Sequence, residues 1–282
     1  MEKSKNSKNI LIINDMPGYG KVALAAMLPI LSNFGHSVYN LPTALVSNTL
    51  DYGKFTILDT TEYMKKSISV WKDLGFSFDC ITTGFLASAE QVDIIREFID
   101  SQRKEELLVM TDPIMADDGK LYNGVTEETV ANMRRLIGVA DVIVPNLTEA
   151  SLLTGLPYRT EYDEEYIRQM LQALAKLGPR YVALTGVSFE PEKLGVMYYD
   201  QQTGQYGSYF NERLPVAIHG TGDVFASTCV GALMRGKSLG DALALAADYT
   251  VECIRATLAD PKPSWYGVNF EEVIPYLVRR LG

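Results

Sequence analysis

The sequence predicts an α/β fold with a mostly parallel central sheet covered by helices on both faces and a small antiparallel hairpin added to it. Short β-branched runs alternate with amphipathic helical stretches along most of the 282 residues, the pattern of a doubly wound sheet. A turn-rich hairpin late in the chain interrupts the parallel order. The length, with 47% apolar residues, suits a single α/β domain.

In chain order, candidate strands fall at residues 10–13, 37–41, 80–83, 107–111, 141–144 and 181–185. Residues 90–103 carry Val92, Ile95, Phe98 and Ile99 at helical spacing, and residues 163–177 carry Ile167, Met170, Leu171, Leu174 and Leu177; both predict helices that cover the sheet. Segments 195–199 and 205–210 flank Asp200-Gln201-Gln202-Thr203-Gly204, a hairpin connection. Tyr198, Tyr199, Tyr206 and Tyr209 on that hairpin read as sheet packing. Gly220-Thr221-Gly222-Asp223 then opens a long apolar helix rich in small residues, 224–234. Residues 1–9, rich in Lys, Ser and Asn, are expected to form a frayed tail ahead of one domain, 10–282.

The net charge of -9 argues against a nucleic-acid partner, whose binding draws on clustered Lys and Arg. Cys80, Cys229 and Cys253 lack metal-ligand spacing and read as buried thiols of a reducing compartment. No apolar run has signal or membrane-spanning length, so no membrane partner and a cytoplasmic location are expected.

Ligands of open α/β sheets gather at the carboxyl ends of the strands. There the chain presents Asn14 and Asp15, Thr43, Gly84 and Phe85, Asp112 and Pro113, residues 145–149, and Thr185 with Gly186. The glycines of Gly220-Thr221-Gly222-Asp223 let backbone N–H groups close on a phosphate at a helix N-terminus. Asp223 would then accept the proton of an attacking hydroxyl; alternatively, it is a first-turn carboxylate that satisfies helix N–H groups. Asp112, Asp117 and Asp118 suit either hydrated magnesium or a solvated acidic loop. Glu149 brings a carboxylate from a second loop, and it is also spaced to form a capping box with Asn146.

Gly18-Tyr19-Gly20-Lys21, with Val22 and Ala23, satisfies the dinucleotide pattern G-x-G-x-x-A. Residues 14–17 separate it from its strand, and Asn40 and Leu41 stand where an acidic ribose ligand belongs. A Walker loop fails on spacing. His36 and His219 have no partner at metal or triad spacing.

Taken in order, these segments resemble the ribokinase-like superfamily, and more closely its pyridoxal kinase branch. The resemblance rests on Phe34-Gly35-His36-Ser37-Val38, Val46-Ser47-Asn48 with Tyr52-Gly53, Thr83-Gly84-Phe85-Leu86 with Ser88-Ala89-Glu90-Gln91, Asp112-Pro113-Ile114-Met115, Pro145-Asn146-Leu147-Thr148-Glu149-Ala150 and Gly220-Thr221-Gly222-Asp223. It implies an ATP-dependent kinase of vitamin B6 salvage that phosphorylates the 5′-hydroxymethyl group of pyridoxal, pyridoxine or pyridoxamine. Asp223 carries over as the base, and Gly220, Thr221 and Gly222 as the anion hole. Asp112 and Glu149 carry over as organisers of Mg2+ and its water. Asp117, Tyr122, Asn146 and Thr185 map to the nucleotide, and Asp15, Thr43, Ser47 and Phe85 to the acceptor. The family also implies a homodimer and, often, a monovalent cation.

Three positions depart from the family. Phe85 stands where a ring-contacting Tyr is usual, which keeps stacking and removes a hydroxyl. Asp15 replaces a Ser that meets the pyridine ring, and Asn14-Asp15-Met16-Pro17-Gly18 is more similar to the opening of hydroxymethylpyrimidine kinases. A carboxylate suits a protonated ring nitrogen, which either heterocycle provides. Val144 replaces a Thr seen before the Pro-Asn pair, in the region implied for the cation. The alternatives are therefore a hydroxymethylpyrimidine kinase, a non-catalytic vitamer-binding protein and a nicotinamide enzyme.

Overall fold

The structure, a computed structural model, describes residues 7–281. In chain order its elements are β1 (Asn9–Tyr19), α1 (Ala23–Asn33), β2 (Ser37–Asn48), β3 (Ile57–Asp59), α2 (Thr61–Asp73), β4 (Cys80–Thr83), α3 (Ala89–Gln102), β5 (Leu108–Thr111), β6 (Ala116–Asp117), β7 (Lys120–Leu121), α4 (Glu127–Ile137), β8 (Val142–Ile143), α5 (Leu147–Thr154), α6 (Glu164–Ala175), β9 (Tyr181–Val187), β10 (Lys193–Asp200), β11 (Gln205–Glu212), α7 (Thr221–Met234), α8 (Leu239–Ala259) and α9 (Phe270–Leu281). The chain divides into two compact units, residues 1–82 with 214–282, and residues 83–213. Of the expected tail, residues 1–6 lie outside the described residues; Lys8 O accepts the N–H of Ser37 at 2.9 Å, and Asn9 already belongs to β1.

In the first unit the strand order is β4-β1-β2-β3, with β1 and β2 parallel and β3 antiparallel to β2. Ile10, Leu11, Ile12 and Ile13 are fully buried, as expected of a strand covered on both faces. α1 buries Ala23, Leu24, Ala26, Met27, Ile30 and Leu31, a helical stripe that packs on β1 and on α7. Small residues on α7 allow this closeness: a Cβ at Gly231 would meet the Phe34 ring at 2.5 Å. His36 is structural, as its lack of partners in the sequence implied. Its Nδ1 accepts the N–H of Lys8, and its Nε2 lies 3.3 Å from the carbonyl of Gly231. Burial holds its pKa below the ordinary value.

β1 and β2 run well past the expected ends at residues 13 and 41. The register slips between Asn14 and Met16, where Thr43 and Ala44 on β2 together stand opposite Asp15, and pairing then continues to Tyr19 opposite Asn48. Pro17 and Gly18 are poor strand formers, but neighbouring backbone overrides propensity here.

In the second unit the order is β11-β10-β9-β8-β5. β5, β8 and β9 are mutually parallel in sequence of pairing, whereas β9, β10 and β11 are antiparallel. The hairpin predicted from residues 195–210 is β10–β11; Tyr199 opposes Tyr206 with ring centroids 4.7 Å apart. The helices begin on Ser88, Thr126, Asn146 and Asp163, whose side chains each accept a backbone N–H of the first turn. The acidic stretch after β5 is a further hairpin, β6–β7, which the sequence reading treated as a loop. Asp118 and Gly119 both have positive φ, +46° and +74°, the two-residue turn that an Asp-Gly pair favours. The α/β class with a mostly parallel sheet and an added antiparallel hairpin is borne out.

Candidate active site

The first unit's candidate residues include Asp15 at the C-terminal end of β1 and Gly220, Thr221, Gly222 and Asp223 at the N-terminus of α7. Gly220 is the N-cap of α7 in a left-handed conformation (φ +83°), and no side chain caps the helix. The first-turn N–H groups are therefore open to an anion. Left-handed backbone favours glycine, and space demands it as well: a Cβ at Gly220 would lie 2.6 Å from Lys21 O. The Thr221 hydroxyl donates to Ile218 O at 3.2 Å, which ties the entering loop to the helix.

Asp223 is buried in that first turn, 9% exposed. Its Oδ1 accepts from Asn14 Nδ2 at 3.4 Å. Burial pushes its pKa up to about 6, while the nearby Ala23 backbone and the Asn14 amide pull it down. At neutral pH it is an ionised acceptor with little solvent around it. No side-chain cap bond is made at the start of its own helix, and the hydrogen bond to the Asp223 carboxylate comes from Asn14 on β1.

Asp15 adjoins it on β1. Burial, then the charge of Asp223, raises the Asp15 pKa to about 7. Thr43 is fully buried at the β2 irregularity. Ser47 is exposed; its hydroxyl donates to Asn48 Oδ1 at 2.7 Å and accepts the N–H of Thr56 at 2.9 Å, so it organises the turn into β3. On that turn Tyr52 packs on Trp265, centroids 4.4 Å apart, and Tyr19 packs on Tyr266 at 4.8 Å.

In the second unit the N-terminus of α5 stitches the β6–β7 hairpin in place. Asn146 and Glu149 form the capping box their spacing suggested: Asn146 Oδ1 accepts the Glu149 N–H at 2.9 Å, and Glu149 Oε2 accepts the Asn146 N–H at 3.0 Å. Asn146 Nδ2 donates to Ala116 O at 2.7 Å, Glu149 Oε1 accepts the Met115 N–H at 3.0 Å, and Thr148 Oγ1 accepts the Gly119 N–H at 2.9 Å. Asp117, with Oδ1 accepting the Asp118 N–H at 2.9 Å, is exposed on this hairpin. Tyr122, also exposed, donates its backbone N–H to Met115 O. Thr185 Oγ1 donates to Pro145 O at 3.3 Å, beside Asn146. Phe85 is half-buried just after β4.

Burial raises the Glu149 pKa to about 8 against the pull of the Asn146, Met115 and Ala116 amides. Both oxygens are engaged by backbone N–H groups, so Glu149 holds the loop. Asp112, 9% exposed at the end of β5, is the carboxylate suited to a hydrated magnesium. Among the described residues no group of three or more His, Cys, Asp or Glu stands ready to hold a metal, so phosphate and water oxygens would complete any coordination shell. Asn14 and Thr148 escaped assignment from sequence. Asn14 is a side-chain donor and Thr148 a loop anchor, and neither has a local signature.

The sequence pattern of the phosphomethylpyrimidine kinase family matches residues 28–263. The chain belongs to this family. A Bacteroides thetaiotaomicron protein assigned to the phosphomethylpyrimidine kinases and solved in a form with pyridoxal is 39% identical, with a TM-score of 0.92 and 96% of each chain covered. Pyridoxal kinase from Lactobacillus plantarum is 30% identical, with a TM-score of 0.89 and 97% of each chain covered. Pyridoxal kinase of Arabidopsis thaliana is 30% identical over 193 residues, 66% of this chain; the match spans 61% of that relative's own length. The resemblance to pyridoxal kinases of the ribokinase-like superfamily is thus borne out. No helix among the described residues is long and apolar enough to cross a membrane.

Proposed function

We propose that the protein is an ATP-dependent kinase that phosphorylates the 5′-hydroxymethyl group of a B6 vitamer, with pyridoxal as the first acceptor. The observation that carries this reading is the buried Asp223 carboxylate in the uncapped first turn of α7, held by Asn14. The similarity to a protein solved with pyridoxal supports the choice of acceptor.

The acceptor hydroxyl oxygen bonds to the γ-phosphorus of ATP as the bond from that phosphorus to the β–γ bridging oxygen breaks, leaving ADP. The hydroxyl proton passes to Asp223, and the N–H groups of Gly220, Thr221 and Gly222 hold the phosphoryl oxygens. Thr43 and Phe85 contact the acceptor, Asp15 pairs with its protonated ring nitrogen, and Ser47 shapes the segment beside it. Asp117, Tyr122, Asn146 and Thr185 serve the nucleotide. Mg2+, associated with Asp112 and with the loop that Glu149 holds, would neutralise phosphate charge. A homodimer, a cytoplasmic location and a monovalent cation belong to the same reading.

A hydroxymethylpyrimidine acceptor is the second reading, favoured by the Asp15 carboxylate beside Asp223 and by the family itself. An acceptor panel separates the two: the chain is incubated with Mg2+, ATP and each alcohol, and product mass is read. Pyridoxal 5′-phosphate is expected to form fastest. A product only from the pyrimidine alcohol would move the assignment to the second reading, and no phosphorylated product from any acceptor would end both.

A further inference from the structure

Four aromatic side chains of the first unit close into a ring of contacts. Tyr19 meets Tyr52 and Tyr266 at centroid distances of 6.3 and 4.8 Å, and Trp265 meets the same two rings at 4.4 and 6.2 Å. Trp265 also meets His219, the residue before Gly220, at 6.2 Å. The end of β1, the turn between β2 and β3, the loop that enters α7 and the stretch between α8 and α9 are thereby joined through side chains. Tyr19, Tyr52 and Trp265 are 56%, 42% and 45% exposed, so these rings are not core filling.

The stretch that carries Trp265 is firmly held. Lys21 N donates to Tyr266 O at 3.1 Å, and Lys21 Nζ donates to Asn269 Oδ1 at 3.4 Å. A Cβ at Gly267 would lie 2.4 Å from Lys21 Cβ, which shows how closely the two segments approach. Asn269 N donates to Thr257 Oγ1 at 2.8 Å, and the Tyr249 hydroxyl donates to Phe270 O at 3.0 Å. Val268 and Phe270 are buried.

The turn between β2 and β3 is instead closed on itself. Ser47 N donates to Thr56 O at 2.9 Å, Asn48 Nδ2 donates to Lys54 O at 3.0 Å, and Gly53 N donates to Leu50 O at 2.9 Å. These bonds make Ser47 and Tyr52 parts of one small hydrogen-bonded piece, and residues 53–58 are exposed. The Gly18-Tyr19-Gly20 pattern fits this arrangement: a Cβ at Gly18 would lie 3.0 Å from Ser47 O, and one at Gly20 would lie 3.0 Å from Thr49 Cγ2. The glycines let the root of the turn lie close, while Tyr19 between them carries a ring to Tyr52.

We propose that Trp265 is a positioning residue: its indole, carried by the anchored stretch between α8 and α9, sets where the Tyr52 turn and Ser47 stand relative to the loop that delivers Gly220. The inference rests on the kinase reading for its effect on turnover, since that reading places the acceptor beside Ser47 and the phosphoryl oxygens at Gly220. The ring contact itself is measured without turnover. Trp265 acts through Tyr52 and needs no contact of its own with the acceptor.

The test has an optical arm and a kinetic arm. The chain has two tryptophans, so a Trp71→Phe background leaves Trp265 as the sole indole. Adding Tyr52→Ala should move its emission to longer wavelength and increase quenching by acrylamide, because the indole loses the ring at 4.4 Å and gains water. Unchanged emission and quenching would overturn the inference. In the otherwise wild-type chain, Trp265→Ala should lower kcat/KM for the acceptor alcohol by about 10-fold or more and leave KM for ATP unchanged, and Trp265→Phe, which keeps a ring, should recover most of the loss. Tyr52→Ala combined with Trp265→Ala should lose no more than Trp265→Ala alone, because the two act as one. Losses that multiply, or an equal rise in both KM values, would refute action through the turn. Should Trp265→Ala not fold, Tyr52→Ala carries the kinetic arm: a loss confined to the acceptor supports the proposal, and no loss refutes it. Absence of product from the wild type would count against the kinase reading, and the optical arm still decides whether Trp265 holds the turn.

Discussion

Asn14 Nδ2 lies 3.4 Å from Asp223 Oδ1, joining residues 209 apart in the chain. The Asn14 amide is itself oriented, since its oxygen accepts the Asp15 N–H at 3.0 Å and its nitrogen lies 3.5 Å from Met27 Sδ. Asn14 is 1% exposed, so this contact meets little competition from water. It stabilises the charged form of the carboxylate, the form a general base requires.

Replacing Asp223 by Asn should lower turnover by roughly 10² to 10⁴-fold and leave ATP affinity nearly unchanged, read by steady-state kinetics and calorimetry. The same change should stabilise the fold at alkaline pH. Because the folded pKa is raised to about 6 from 3.8, the Asp223 contribution is fully present below the unfolded value and is lost as pH rises through the folded one. Asp223→Asn should therefore be more stable to unfolding than the wild type at pH 8, by about 1 to 3 kcal/mol, with the gain gone near pH 4. An equal difference at both pH values would mean that Asp223 is not ionising in a buried setting.

Asn14→Ala should move the acid limb of kcat/KM upward. In the wild type that limb should lie near the Asp223 pKa of about 6, with activity falling as pH drops and the base becomes protonated. Loss of one donor to the carboxylate should raise the midpoint by up to about one unit. A limb that stays in place would show that Asn14 does not stabilise the ionised base.

Glu149→Ala should weaken nucleotide use through the β6–β7 hairpin. It strips the acceptor from the buried Met115 N–H, at a cost of about 1 to 3 kcal/mol, and from the part-buried Asn146 N–H. The melting temperature should fall and KM for ATP should rise, while KM for the acceptor alcohol stays near its wild-type value. Glu149→Gln, which keeps one carbonyl acceptor, should lose less. A variant with an unchanged melting temperature would remove the structural role assigned to Glu149.

The sequence by itself determined the alternation of strands and helices, the hairpin at residues 195–210 and the opening of a helix at Gly220. It also determined the Asn146–Glu149 capping box, now seen with both bonds made. These are local features, set by spacing of a few residues along one element, where backbone geometry alone dictates which groups meet. The β6–β7 turn was equally local, and Asp118-Gly119 was its missed signal. Tertiary structure alone decided that Asn14 holds Asp223, that Glu149 reaches Met115, and that Lys21 lies in the space left by Gly220 and Gly267. It also decided that β1 and β2 keep pairing through Pro17 and Gly18. Such contacts join segments far apart in the chain, and packing of the whole unit selects them.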